Sequence, residues 1–168
     1  MSETATLILD HAQIMQKLKR IAYQIYEANH QEKEVVIVAV ERKGRLLSDR
    51  ILPLLMQEAS FEIHQLNITV DKRNPLSIPQ LDGDGAQLNG KSVVLIDDVL
   101  NSGRTLMYAA CYLLKWPVAR LSTVVLVDRR HRKYPIKADY VGLTLSTTLQ
   151  EHINVVFEEG NDAVYLEA

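Results

Sequence analysis

After Asp10, apolar residues recur as Ile14, Leu18, Ile21, Ala22 and Ile25. That 3.6-residue spacing predicts a helix with one buried stripe, N-capped by Asp10 and ending near Asn29. Val35-Val36-Ile37-Val38-Ala39-Val40 then forms an unbroken apolar run rich in β-branched residues. Such a run predicts a strand covered on both faces, as in parallel sheets. Helical spacing returns from Gly44 to Glu58 through Leu47, Ile51, Leu54 and Leu55. Phe61, Ile63, Leu66, Ile68 and Val70 alternate with polar residues, but the phase slips at His64-Gln65. The slip predicts a bulge or a strand edge whose exposure changes along its length.

From Asp71 to Lys91 the periodicity is lost among Pro75, Pro79, Gly83, Gly85 and Gly90. An irregular segment of that length predicts a functional or mobile loop. Order resumes with a strand at Ser92-Val93-Val94-Leu95-Ile96, a helix from Leu106 to Lys115 and a second buried strand from Leu121 to Val127. Shorter strands are expected at Ala138 to Leu145, Ile153 to Phe157 and Ala163 to Glu167. Strands alternating with helices predict an α/β fold with a mostly parallel central sheet flanked by helices. No repeat, low-complexity tract or linker divides the 168 residues, so one domain over 1–168 is expected.

Composition narrows the partners. The net charge of −2 demands neither nucleic acid nor an anionic membrane, so such a partner would have to use a local patch. Cys111 stands alone, which excludes an internal disulfide, and no Cys/His spacing suggests zinc. The N-terminus lacks a basic segment followed by an apolar run, and no stretch approaches the ~20 apolar residues of a membrane span. The expected location is the cytoplasm, with no membrane partner.

Candidate chemistry concentrates where the strand ending at Ile96 meets Asp97-Asp98-Val99-Leu100-Asn101-Ser102-Gly103-Arg104-Thr105. Two acids and a loop of small and hydroxyl residues lead into a helix. In open α/β sheets, ligands bind at the carboxyl ends of strands. A helix N-terminus there offers unpaired N–H groups and positive potential to a phosphate. Gly103 permits close backbone approach, Ser102 and Thr105 add hydroxyls, and Arg104 adds charge. Carboxylates would repel a phosphate, so Asp97 and Asp98 suit the hydroxyls of a ribose beside it, or a Mg²⁺ ion. On the residues alone, an equal reading is that the two acids end the strand and cap the next helix.

This loop resembles the phosphoribosyl pyrophosphate (PRPP) signature of type I phosphoribosyltransferases, and nearly the whole chain resembles the PyrR family. The likeness runs through Ile8-Leu9-Asp10 to Arg20-Ile21-Ala22, Val124 to Arg132, and Pro135 to Gly142. PyrR proteins are uracil phosphoribosyltransferases that in many bacteria also bind leader RNA to regulate pyrimidine genes. The resemblance implies the type I fold with a small hood region, and Leu100, Asn101, Ser102, Gly103, Arg104 and Thr105 around the 5′-phosphate. It implies pyrophosphate at Glu41, Arg42, Lys43 and Gly44, and the base near Val99, Asp128, Arg129, Tyr140 and Val141. Tyr140 would stack on the base or serve as a buried structural tyrosine. Asp97 and Asp98 would act at the ribose and near Mg²⁺, directly or indirectly.

Two departures from the family pattern stand out, the loop after Thr69, and Asn101, which replaces the tyrosine common in PyrR proteins. The family's flexible catalytic loop carries Thr-Leu-Tyr-Arg-Asp-Asp, whereas this chain reads Thr69-Val70-Asp71-Lys72-Arg73-Asn74. Lys72 and Arg73 are the substitutes expected to act in catalysis. Asn101 stands where purine enzymes carry an acid, and an amide is no general base at neutral pH, which favours a pyrimidine. The resemblance therefore implies transfer of ribose 5-phosphate from PRPP to a nucleobase, uracil favoured, with Mg²⁺ and release of pyrophosphate. The alternatives are a nucleotide-sensing RNA-binding regulator and a PRPP or nucleotide binder with little catalysis. RNA would use Arg129-Arg130-His131-Arg132-Lys133 with Lys17 and Arg20, unless that cluster is a solvated turn. A homo-oligomer, most simply a dimer, is implied by the family alone.

Overall fold

The computed structural model describes residues 5–74 and 76–168, and Pro75 of the irregular segment lies outside them. In chain order it forms β1 (Thr6–Leu9), α1 (His11–Asn29), β2 (Glu34–Val40), α2 (Lys43–Glu58), β3 (Glu62–Thr69) and β4 (Gln80–Leu81). A 3₁₀ turn at Gly85–Leu88 precedes β5 (Ser92–Leu100), α3 (Arg104–Leu113), β6 (Arg120–Asp128) and β7 (Tyr140–Thr144). β8 (His152–Val156) and β9 (Ala163–Glu167) close the chain. Asp10 caps α1 as expected, accepting from the Gln13 amide while the Gln13 side chain accepts from the Asp10 amide.

The larger sheet has the order β4-β3-β2-β5-β6-β7, parallel throughout except for β4. The apolar runs form its centre, because a strand flanked by strands and roofed by helices on both faces sheds all contact with water. Alternate side chains serve two cores. Val35, Ile37, Val94, Ile96, Val124 and Leu126 meet α1 and α2 on one face. Val36, Val38, Val93, Leu95 and Val125 meet α3 and Leu88 on the other. Val35 lies opposite Ser92, and Ser92 opposite Arg120, so the carboxyl ends of β2, β5 and β6 emerge along one edge.

Several details depart from expectation. β3 runs in unbroken register with β2 from Glu62 to Ile68, so the slip at His64-Gln65 is not a bulge. It reflects exposure: β4 covers the outer edge of β3 only at Ile68 and Thr69, leaving His64 and Gln65 half-buried. β5 continues past Ile96 through Asp97 and Asp98 to Leu100, which places both acids on a strand and not in the loop. The irregular segment contains β4 and the 3₁₀ turn, where the Trp116 ring lies against Gly85. Trp116 is thus the packing anchor its position after α3 suggests.

β1, β9 and β8 form a separate antiparallel sheet, the small hood implied by the resemblance. It is fastened to the larger sheet's helices by Asp162. That fully buried side chain accepts from Arg50 Nε at 2.9 Å and Arg50 Nη2 at 3.0 Å. Removing one member of such a pair strands a charge out of water. Arg50→Met is expected to lower unfolding stability by about 3 kcal/mol. Urea denaturation would check this, and Arg50→Met with Asp162→Leu should recover most of the loss.

Candidate active site

A cavity of about 180 Å³ opens at the carboxyl edge of the larger sheet. Its wall contains Val70, Asp71 and Lys72 on one side and Asp97, Val99, Val125 and the run from Leu100 to Leu106 on the other. Tyr108 completes it. The structure therefore brings together the whole expected phosphate loop with Asp97, Val99 and Lys72. Asp98 and Arg73 lie outside the cavity wall. The Arg73 amide instead donates to Asp71 Oδ1 at 2.8 Å, closing a local turn.

The loop's shape follows from its residues. Gly103 has φ +87°, a left-handed conformation that a side chain would strain, and a Cβ there would sit 2.7 Å from Ile136 Cγ2. After this turn α3 begins, and its first internal bond is Met107 N–H to the Gly103 carbonyl at 2.9 Å. The Arg104 amide donates to Ser102 Oγ at 3.3 Å, while the Thr105 and Leu106 amides have no acceptor within the described residues and stay available as donors at the cavity wall. From behind, the Lys133 and Tyr134 amides both donate to the Ser102 carbonyl, at 2.8 and 3.1 Å.

Electrostatics single out Asp97. Its side chain is buried, and burial pushes the carboxyl well above the usual aspartate range. The Asp98 charge and a hydrogen bond with the Asp98 side chain push it further, while Lys72 opposes them. A group held in that state favours a partner that supplies hydroxyl donors or positive charge. Mg²⁺ fits this donor set: Asp97 and Asp98 offer the hard oxygens it takes, and a cation would relieve the repulsion between them.

The expected pyrophosphate loop approaches β5 most closely at Gly44. A Cβ on Gly44 would lie 2.9 Å from the Ile96 carbonyl oxygen and 3.3 Å from Asp97 Cα, so only glycine lets α2 rest on β5. Arg42 has φ +69° and ψ −111°, a conformation that costs energy for any residue with a Cβ. The Glu41 amide donates to the Ile68 carbonyl at 2.9 Å, and Lys43 Nζ donates to Asn154 Oδ1 on β8 at 3.0 Å.

The expected base residues divide into two groups. Asp128 lies opposite Leu100, and the Arg129 amide donates to the Leu100 carbonyl at 2.9 Å. Burial alone would raise the Asp128 carboxyl, but Arg132 and the Arg130 amide bring it net below the ordinary value. Arg132 Nη1 and Nη2 reach its two oxygens at 2.9 and 2.6 Å. Arg129 donates to Thr147 Oγ1 at 2.6 Å and the Thr148 carbonyl at 2.9 Å. Tyr140 and Val141 instead pair with Val124 and Val125 on β6, outside the cavity wall. Tyr140 packs against the core beneath α1. Arg20, expected on an RNA-facing surface, donates to the Val141 and Gly142 carbonyls at 2.9 and 3.0 Å.

Sequence reading missed five cavity residues: Val70, Asp71, Leu106, Tyr108 and Val125. Tyr108 had a signal, because it falls one helical turn after Thr105 on the same face.

Comparison with known proteins agrees with this geometry. The family model described as the phosphoribosyl transferase domain matches residues 4–161. A protein of Haemophilus ducreyi named bifunctional protein PyrR is 37% identical over 163 residues, covering 89% of this chain and 88% of its own. A pyrimidine operon regulatory protein of Lactococcus lactis is 35% identical over 167 residues, covering 95% of both chains. Among solved structures, a hypoxanthine-guanine phosphoribosyltransferase of Bacillus anthracis superposes with a TM-score of 0.73 at 22% identity, covering 90% of this chain and 86% of its own. The hypoxanthine phosphoribosyltransferase of Trypanosoma cruzi gives 0.74 at 21% identity, with coverages of 88% and 84%. These two likenesses establish a shared fold.

The state of Asp97 gives a signed prediction. Between the ordinary aspartate value and its raised one, the folded chain holds a proton that the unfolded chain has released. Stability therefore falls as pH rises through that window. Asp97→Asn should flatten this slope and raise the melting temperature at pH 7, by about 2–4 °C for each kcal/mol relieved. The same variant should weaken PRPP binding, which thermal shift with and without PRPP would measure.

Proposed function

The chain belongs to the phosphoribosyl transferase family, and from that membership we propose that it transfers ribose 5-phosphate from PRPP to a nucleobase, with uracil favoured. The observation that carries the reading is the junction of β5 and α3. There a buried acid, Asp97, shares one cavity with a helix start whose Thr105 and Leu106 amides have no acceptor within the described residues. Few ligands call for phosphate recognition and hydroxyl recognition so close together, and a ribose 5-phosphate is one.

In the proposed reaction a ring nitrogen of the base bonds to C1′ as the C1′–O bond to pyrophosphate breaks. The electron pair of that bond leaves with pyrophosphate, and the base nitrogen gives up its proton. C1′ carries oxocarbenium character between the two, so no protein nucleophile is needed. Ser102 to Thr105 hold the 5′-phosphate and so fix one end of the sugar. Asp97 and Asp98 take the ribose hydroxyls, and the negative charge the pair carries favours the cationic sugar. Arg42, Lys43 and the adjoining amides receive the pyrophosphate, and Lys72 approaches from the loop after β3. Mg²⁺ bound with PRPP would be held near Asp97 and Asp98 and would offset the charge of the leaving group.

A pyrimidine is favoured because Asn101 stands where purine enzymes carry an acid, and an amide cannot take up a proton as a general base at neutral pH. The cytoplasm remains the expected setting, and a dimer the expected assembly. No described helix is long and apolar enough to cross a membrane.

A second reading, an RNA-binding regulator, is favoured by relatives whose names describe pyrimidine operon regulation. Its surface is smaller than the sequence suggests. Arg129, Arg132 and Arg20 hold protein groups, which leaves Arg130 and Lys133 exposed and Lys17 half-buried.

The test is pyrophosphate release from PRPP and Mg²⁺ against a panel of bases. Release is expected with uracil, and Asp97→Asn with Asp98→Asn should reduce it at least ~100-fold. Release only with a purine would overturn the reading of Asn101. No release with any base would overturn the enzyme reading, and salt-sensitive RNA binding would then support the regulator.

A further inference from the structure

Tyr108 lines the cavity but had no role in the expected site. A helical side chain leans toward the N-terminus of its helix and covers the preceding turn. Tyr108 follows Arg104 by four residues and Thr105 by three, so its ring lies over the first turn of α3. That turn bears the Thr105 and Leu106 amides, which have no acceptor within the described residues, and the Arg104 amide, held by Ser102 Oγ at 3.3 Å. The half-buried ring is braced by Tyr134, whose ring meets it edge-on with centroids 6.4 Å apart and planes at 64°. Tyr134 is itself tied to the phosphate loop by its amide bond to the Ser102 carbonyl at 3.1 Å. The ring and the loop are thus positioned by one shared piece of backbone.

The Tyr108 hydroxyl makes no hydrogen bond within the described residues. A tyrosine used only for packing turns its apolar ring inward and its hydroxyl to water or a protein acceptor. Here the ring is held from the side and forms part of the wall of the cavity that the phosphate loop lines. We infer that Tyr108 is a ligand-binding residue that donates a hydrogen bond from its hydroxyl to the 5′-phosphate of PRPP and of the nucleoside monophosphate product. The inference rests on the proposed function for the identity of the ligand. A phenol donor is neutral, so it adds a directed bond without adding to the charge near Lys72 and Arg104.

The test compares wild type, Tyr108→Phe and Tyr108→Leu by calorimetric titration with UMP, PRPP, pyrophosphate and uridine, alongside melting temperatures. Tyr108→Phe keeps the ring and its contact with Tyr134 but removes the donor. It should weaken UMP and PRPP by about 10-fold. Pyrophosphate and uridine, which lack the 5′-phosphate, should be unaffected, as should the melting temperature. In turnover the change should appear in KM for PRPP with kcat nearly unchanged. UMP and PRPP affinities equal to wild type would overturn the inference. An equal loss for uridine would also overturn it, because that outcome marks a packing residue. Wild type that binds UMP and PRPP but releases no pyrophosphate would defeat the transfer reaction alone, leaving the variant's affinities to decide the role of Tyr108. Wild type that binds neither ligand would overturn both.

Discussion

The first turn of α2 rests on β5 with nothing but the hydrogen of Gly44 between them, and the site is organised around that contact. A Cβ at Gly44 would meet the Ile96 carbonyl at 2.9 Å, so any larger residue would lever α2 away from the sheet. The loop carrying Arg42 and Lys43 would then move from the strand that carries Asp97. Parallel register supplies the rest of the alignment. Val38 faces Leu95, which faces Thr123, and the three central strands end along a common edge. Phosphate loop, acid pair and basic loop are adjacent because backbone fits backbone, without reliance on flexible side chains.

Charge is arranged with similar economy. Asp97 is kept out of water beside Asp98, a cost that Lys72 and the Asp98 amide offset in part and that a partner rich in hydroxyls or positive charge would offset further. Half of the cations that the sequence suggests for an RNA-facing surface, Arg20, Arg129 and Arg132, are engaged within the protein. Arg132 clamps Asp128 and also donates to the Ile136 carbonyl at 2.8 Å, bracing the segment that backs the phosphate loop. Arg129 ties the end of β6 to Thr147 and Thr148. Arg20 fixes the carbonyls of β7. The basic character of this region therefore supports the site's walls more than it offers a free patch.

Much of this was legible beforehand. The run Val35 to Val40 reads as a central strand because nothing else buries six consecutive apolar side chains, and Ser92 to Ile96 and Leu121 to Val127 follow the same logic. The phosphate loop was legible because its chemistry is local: Gly103, Ser102 and Thr105 act within a few residues of one helix start. What the sequence concealed depends on distant partners. Asp97 and Asp98 look like loop residues until the pairing of β5 with β6 extends the strand through them. β1 has too few residues to show a period and exists because β9 pairs with it. Tyr140 and Val141 fall two strands from Asp97 because β7 joins the sheet beyond β6, a placement that no local pattern encodes.

The central claim is that one edge of the sheet binds the two ends of PRPP at two separate loops. Amide chemical shifts in ¹⁵N-labelled protein test it most directly, through titration with PRPP, ribose 5-phosphate and pyrophosphate in turn. The account predicts that ribose 5-phosphate moves the amides of Ser102 to Thr105, pyrophosphate moves those of Arg42 to Gly44, and PRPP moves both sets. Shifts confined to other segments, or both sets moving with pyrophosphate alone, would contradict it.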